Sequence, residues 1–152
     1  MSLTFGLATT KELYSKLVRD AALLDLEVTS DKLFNFVVTG YSMIDWVQRD
    51  PSIPASATTA SEVQSLYDDP WLKVCGDLAT AVKHFTLTRR VPITASTKAA
   101  RGFGLGRYGK GDFGVGEESI RIALTDGSSF GCIELAQGVV SSWARFFAKH
   151  GM

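Results

Sequence analysis

The sequence predicts a mainly helical α+β domain, with four to five helices, a late antiparallel β-hairpin or small sheet, and a C-terminal helix. Apolar residues recur at helical spacing through much of the first 86 residues. Between residues 119 and 133, apolar and polar residues alternate on either side of Asp126-Gly127, a hairpin turn signal. From residue 134 to 150, apolar residues again recur at helical spacing. The chain has 152 residues, the usual size of one domain, so residues 1–152 are predicted to form a single domain.

The first two helices have clear start signals. Thr9 and Glu12 have the spacing of a capping box, which predicts a helix from about residue 10 to 26. Thr29 and Ser30 offer the cap of a second helix, which has a broad apolar face and ends before Pro51.

The middle of the chain predicts a loop and two more helices. Residues 50–60 contain helix breakers and no periodicity, which indicates a surface loop. Residues 61–67 are predicted to form a short helix. Asp69 can then cap a fourth helix with Pro70 in its first turn, and this helix extends to about residue 86. Its apolar stripe is Trp71, Val74, Cys75, Leu78, Val82 and Phe85.

The C-terminal part predicts strands and a last helix. Residues 91–97 are rich in β-branched side chains and indicate a first strand. Residues 101–116 carry glycine at nearly every second or third position, which predicts a Gly-rich loop or a strongly bent ribbon. The hairpin follows at 119–125 and 129–133. The last helix covers 134–150, with Gly151 as its C-cap.

The composition narrows the classes of function. Sixteen basic and sixteen acidic residues cancel, so nucleic acid or an anionic membrane would need a local patch. No apolar run approaches the roughly 20 residues of a membrane-spanning helix, and we therefore expect a cytoplasmic protein with no membrane partner. Cys75, in a helix, and Cys132, in a strand, are predicted to be buried free thiols. Because nucleophile elbows, zinc-type histidine pairs and acidic metal-binding clusters are missing from the sequence, no metal or cofactor is predicted.

The Gly-rich loop carries a candidate ligand-binding surface. It twice matches the spacing of dinucleotide-binding glycines, but a strand follows where that fingerprint needs a helix. Its basic and aromatic side chains could instead contact phosphates or stack on bases, or the aromatics could close over the core while the charges stay in solvent. The candidates for ligand or nucleic-acid contact are Arg101, Phe103, Arg107, Tyr108 and Lys110.

Both histidines lie near possible partners. Asp77 and His84 lie two turns apart on one helix, where they could orient an acid-base pair or contribute to a metal site. The alternative is that Asp77 pairs with Lys73 and His84 interacts with the helix dipole. Arg145 and His150 lie within one and a half turns at the end of the last helix, where a cationic last turn is ordinary helix design.

Residues 74–85 resemble a helix of uncharacterised bacterial helical proteins akin to the HEPN superfamily, with the Asp77, Ala81, Lys83 and His84 pattern. The resemblance implies a helical bundle that dimerises. It also implies RNA cleavage by Arg145 and His150, which have the family's spacing. Thr80 stands where the family usually has Asn, and Phe146 stands where a polar residue usually follows the Arg.

Three functions follow as hypotheses. The first is a non-catalytic module of bacterial or phage origin that binds a protein partner or assembles with itself, for example as a homodimer. The second is an HEPN-like domain that binds or cleaves RNA. The third is a small-ligand binder with a pocket beneath the Gly-rich loop.

Overall fold

Five α-helices and a three-stranded antiparallel sheet make up the part of the chain that the computed structural model describes, residues 3–102 and 117–152. The predicted α+β, mainly helical class is therefore confirmed. In chain order the elements are α1 Thr10–Leu26, α2 Ser30–Arg49, a 3-10 turn Ala55–Ala57, α3 Ala60–Asp68, α4 Pro70–His84, β1 Thr94–Gly102, β2 Glu117–Leu124, β3 Ser129–Gly131 and α5 Cys132–Lys149.

The predicted helix caps are present. The Glu12 N–H donates to the Thr9 hydroxyl at 3.2 Å, and the Glu12 carboxylate accepts the Thr9 N–H at 2.9 Å, which completes the capping box of α1. At α4, Asp69 Oδ1 accepts the N–H groups of Trp71 and Leu72. These local bonds satisfy amides that the first helical turn leaves unpaired, so the sequence is enough to locate both helix starts.

Asp50 ties the end of α2 to the start of α1. Its carboxylate accepts the Thr10 N–H at 2.6 Å, and it also accepts the N–H and hydroxyl of Ser52 at 2.8 and 2.6 Å. Desolvation works to raise the pKa of Asp50, but the hydrogen bonds from Ser52 and Thr10 outweigh it and lower the pKa to about 2.

The core lies between α1, α2, α4 and α5. Trp143 of α5 is fully buried, and its indole N–H donates to the Gly40 carbonyl of α2 at 3.1 Å. Cys75 is also fully buried, and desolvation raises the pKa of its thiol far above the ordinary value. Cys132 is buried and outside any disulfide as predicted, but it is the first residue of α5 and not part of a strand.

The element boundaries differ from the prediction on either side of the sheet. β1 begins at Thr94, three residues later than predicted. Just before and at this start, the N–H groups of Ile93 and Thr94 donate to the Asp77 carboxylate of α4. β1 then continues through Arg101, so residues 101 and 102 of the predicted Gly-rich loop belong to a strand. Residues 103–116 lie outside the described residues. α5 begins two residues early because the Glu134 carboxylate accepts the Gly131 N–H at 3.3 Å.

The sheet packs on the helices through its inner face. Ile120 and Ile122 of β2 are buried, and Phe130 of β3 meets the Trp71 ring edge-on at 5.1 Å. The sheet therefore lies against the N-terminal turn of α4 and against α5. In the described ranges, none of the helices is long and apolar enough to cross a membrane.

Candidate functional site

A polar cleft lies beside the C-terminal end of α4. Its volume is about 650 Å³, which is in the range of small-ligand sites. Three arginine or histidine side chains, three threonines and one tyrosine surround it, with no carboxylate among them. The lining residues are Tyr41, Thr80, His84, Thr86, Thr88, Arg89 and Arg90. This composition favours an anionic ligand.

Asp77 fixes one wall of this cleft from within the core. Its side chain is only 2% exposed, and one oxygen accepts the Arg90 Nε–H at 2.5 Å. The other oxygen accepts the backbone N–H groups of Ile93 and Thr94, both at 2.9 Å. A buried carboxylate needs such compensation, and here one side chain anchors an arginine and the entry to β1 together.

All three guanidinium nitrogens of Arg90 donate hydrogen bonds, Nε to Asp77 as described. Nη1 donates to the Tyr41 hydroxyl and Nη2 to the Lys73 carbonyl, both at 2.9 Å. Gly76 makes room for this packing, because a Cβ there would lie 2.6 Å from the Tyr41 ring and 2.7 Å from Arg90 Nη2. Desolvation works to lower the pKa of Arg90, but the hydrogen bond to Asp77 and attraction from Tyr41 and Asp77 raise it. Arg90 is thus a fixed cation at the cleft wall.

The loop after α4 begins with an unusual backbone. Phe85 has φ 66° and ψ −34°, and its N–H still donates to the Ala81 carbonyl at 2.7 Å. A bulky residue with positive φ is an outlier that costs on the order of 1–2 kcal/mol. Burial of the ring does not offset this backbone strain, since Phe85 is 94% exposed. Strain without a packing benefit favours a functional role for this turn.

The structure separates the roles of Asp77 and His84. The alternative prediction that Asp77 pairs with Lys73 is wrong. The Asp77 carboxylate pairs with Arg90, and Lys73 contributes only its backbone carbonyl, which accepts a hydrogen bond from that arginine. His84 is exposed and lines the cleft. Within residues 3–102 and 117–152, no group of three or more His, Cys, Asp or Glu side chains could hold a metal ion.

Arg145 and His150 contact different parts of the molecule. Arg145 is 68% exposed, lies 3.9 Å from the Asp69 carboxylate, and donates to the Ser142 hydroxyl. The His150 side chain is 6% exposed and bonds to Glu62 of α3 at 2.9 Å. Within one chain the two side chains therefore face different partners. No family model, curated protein or solved structure matches the chain, and RNA cleavage by this pair across a dimer stays a prediction.

The Gly-rich candidates fall mostly beyond the described residues. Arg101 lies in β1, where its backbone pairs with Glu118. Phe103, Arg107, Tyr108 and Lys110 lie outside the described residues, so their predicted contacts stay predictions.

Sequence reasoning missed Arg90, because its partner Asp77 lies 13 residues earlier on another element. The sequence feature that could have pointed to it is the Arg89-Arg90 doublet between a predicted helix and a predicted strand. It also missed the partners of His150, which come from α3 and the 3-10 turn.

Proposed function

We propose that the protein binds single-stranded RNA through the cleft at the end of α4. The observation that carries this proposal is the local charge. Of the residues with described side chains, 78–100 contain four Lys or Arg and no Asp or Glu, and Asp77, which directly precedes them, pairs with Arg90. The cleft residues His84, Arg89 and Arg90 lie within this stretch. A local patch of this kind is what a neutral protein needs in order to attract a phosphate backbone.

The exposed ring of Phe85 supports single-stranded over double-stranded RNA. It directly follows the cleft residue His84, and it presents almost its whole surface to solvent. Proteins that bind single strands combine a cationic groove with aromatic side chains on which bases stack. Stacking on such a ring needs an unstacked base, which a single strand offers and a duplex does not.

Three threonines support RNA over DNA. Thr80, Thr86 and Thr88 line the cleft, and each hydroxyl can donate or accept a hydrogen bond. The ribose 2′-OH is the group that distinguishes RNA from DNA at such a site. We therefore expect an RNA oligomer to bind more tightly than DNA of the same sequence.

The test is fluorescence anisotropy with a labelled 12-nucleotide RNA. Arg89→Ala removes an exposed cleft cation, and it should weaken binding several-fold and reduce the slope of log K against log salt by about 0.7. Arg19→Ala is the matched control, since Arg19 is an exposed arginine of α1 and its loss changes the net charge equally. Equal effects of the two variants, or no binding by the unmodified protein, would reject the proposal.

A second candidate is the self-assembling module that the sequence predicted. Val82 and Val91 are 40% and 95% exposed and lie, with Phe85, in the same helix end and loop. A second copy could cover these exposed apolar side chains with its own, which would remove both sets from water. Val91→Glu should then shift a dimer toward monomer in sedimentation velocity, and a monomeric unmodified protein would exclude this candidate.

The two candidates agree with other predictions made from the sequence. RNA binding is in keeping with the HEPN-like resemblance and with the expected cytoplasmic location, although it relies on cleft residues and not on Arg145 and His150. The cleft can bind without transforming its ligand, so the prediction of a non-catalytic role still applies to it.

A further inference from the structure

A second polar cluster lies at the opposite end of α5 from the sheet, away from the α4 cleft residues. His150 follows the last turn of α5, and its Nδ1 lies 3.2 Å from the hydroxyl of Ser56 in the 3-10 turn. Its Nε2 lies 2.9 Å from Glu62 Oε2 in α3. Serine, imidazole and carboxylate thus form a continuous hydrogen-bonded chain from three separate segments.

The contacts of His150 select the tautomer that a general base needs. An ionised carboxylate can only accept, so Nε2 carries the proton and donates it to Glu62. Nδ1 then has a free lone pair directed at the Ser56 hydroxyl. The hydrogen bond from Lys149, followed by that from His150, lowers the pKa of Glu62, which keeps the carboxylate ionised.

The imidazole is also fixed in place, while the serine is accessible. The His150 side chain is 6% exposed, and its ring packs against Phe146 with centroids 4.9 Å apart. Ser56 is exposed. A buried, oriented base beside an exposed hydroxyl is the arrangement by which a serine becomes a nucleophile.

We propose that Ser56, with His150 as general base and Glu62 as a positioning residue, cleaves simple carboxylic esters. The Ser56 oxygen attacks the ester carbonyl carbon while its proton passes to His150 Nδ1. The carbon-oxygen bond to the leaving alcohol breaks, and that oxygen takes the proton from Nδ1. Water then attacks the acyl-serine with His150 again accepting a proton, which releases the carboxylic acid and restores Ser56.

An apolar cleft of about 430 Å³ lies in neighbouring segments, although Ser56, Glu62 and His150 are not among the residues that line it. Ile53, three residues before Ser56, lines it together with Phe147 and Met152, which flank His150 in the chain. Tyr14 completes the apolar wall, its ring edge-on to Phe147 at 5.0 Å.

The test is covalent labelling of the full chain by a fluorophosphonate, read by intact mass, together with hydrolysis of 4-nitrophenyl butyrate. Unmodified protein should take up one label, at Ser56, and Ser56→Ala should take up none. His150→Gln should label at least about 100-fold more slowly, because general-base catalysis contributes 10²- to 10⁴-fold. Ser61→Ala is the matched control, since Ser61 is an exposed serine of the neighbouring helix and bonds only to Thr59 among the contacts described.

Glu62→Gln keeps a hydrogen-bonding side chain at His150 but removes its charge. It should slow labelling about tenfold and move the midpoint of the rate against pH to lower pH, a change that a purely structural role would not produce. Circular dichroism checks that each variant is folded. The proposal is overturned if unmodified protein labels no faster than Ser56→Ala, or if folded His150→Gln labels at the unmodified rate.

Discussion

Replacing Phe85 with glycine should stabilise the fold and weaken RNA binding at the same time. The backbone at Phe85 has φ 66°, which glycine adopts without a Cβ clash. Relief of that clash is worth on the order of 1–2 kcal/mol. The greater freedom of glycine in the unfolded chain removes about 0.4–1 kcal/mol of this gain. Because the ring is 94% exposed, its removal exposes almost no additional core surface.

The free energy of unfolding should therefore rise by about 0–1.6 kcal/mol in Phe85→Gly, which corresponds to at most roughly 6 °C in Tm for a domain of this size. Urea unfolding followed by tryptophan fluorescence measures the change. Phe85→Ala is the first control, since alanine keeps the strain and should leave stability almost unchanged. Phe34→Gly is the second, because Phe34 is half-exposed inside α2, where glycine costs about 1 kcal/mol.

RNA affinity should fall in Phe85→Gly, although its stability should rise. Both Phe85 variants lose the ring, so both should lose about 1–3 kcal/mol of binding free energy per stacked base. If Phe85→Gly is less stable than Phe85→Ala, then the backbone is not strained and the reasoning fails. If both variants bind RNA as tightly as unmodified protein, Phe85 has no stacking role.

Three further predictions concern stability. Asp77→Asn leaves Arg90 without its buried countercharge and should lower the free energy of unfolding by about 3 kcal/mol, measured in urea. Gly138→Ala places a Cβ 2.2 Å from the Trp71 ring, so overpacking should cost about 1–3 kcal/mol and lower Tm; an unchanged Tm would mean that Trp71 moves freely. The lowered pKa of Asp50 stabilises the fold above about pH 4, and this stabilisation is lost as pH falls toward 2; Asp50→Asn should flatten the unfolding free energy across that window.

The helices and the hairpin could be predicted from the sequence because their signals are local. The bonds between Thr9 and Glu12 span a single turn, and Asp69 caps the two residues after Pro70. Apolar periodicity then identifies much of the buried face of the helices, including Trp143 and Cys75, but it was wrong for the end of α4, where Val82 and Phe85 of the predicted stripe are exposed. Such features depend on neighbours within a few residues, which the sequence displays directly.

Only the tertiary structure decided which side chains meet. Asp77 lies on the same helix as Lys73, yet it pairs with Arg90, because the path of the chain after Phe85 brings that guanidinium against the buried carboxylate. Ser56 and His150 are 94 residues apart and meet where Glu62 of α3 bonds to Lys149 and His150 at the end of α5. A buried charge takes the partner that geometry supplies, and the geometry of loops is set by packing rather than by local periodicity.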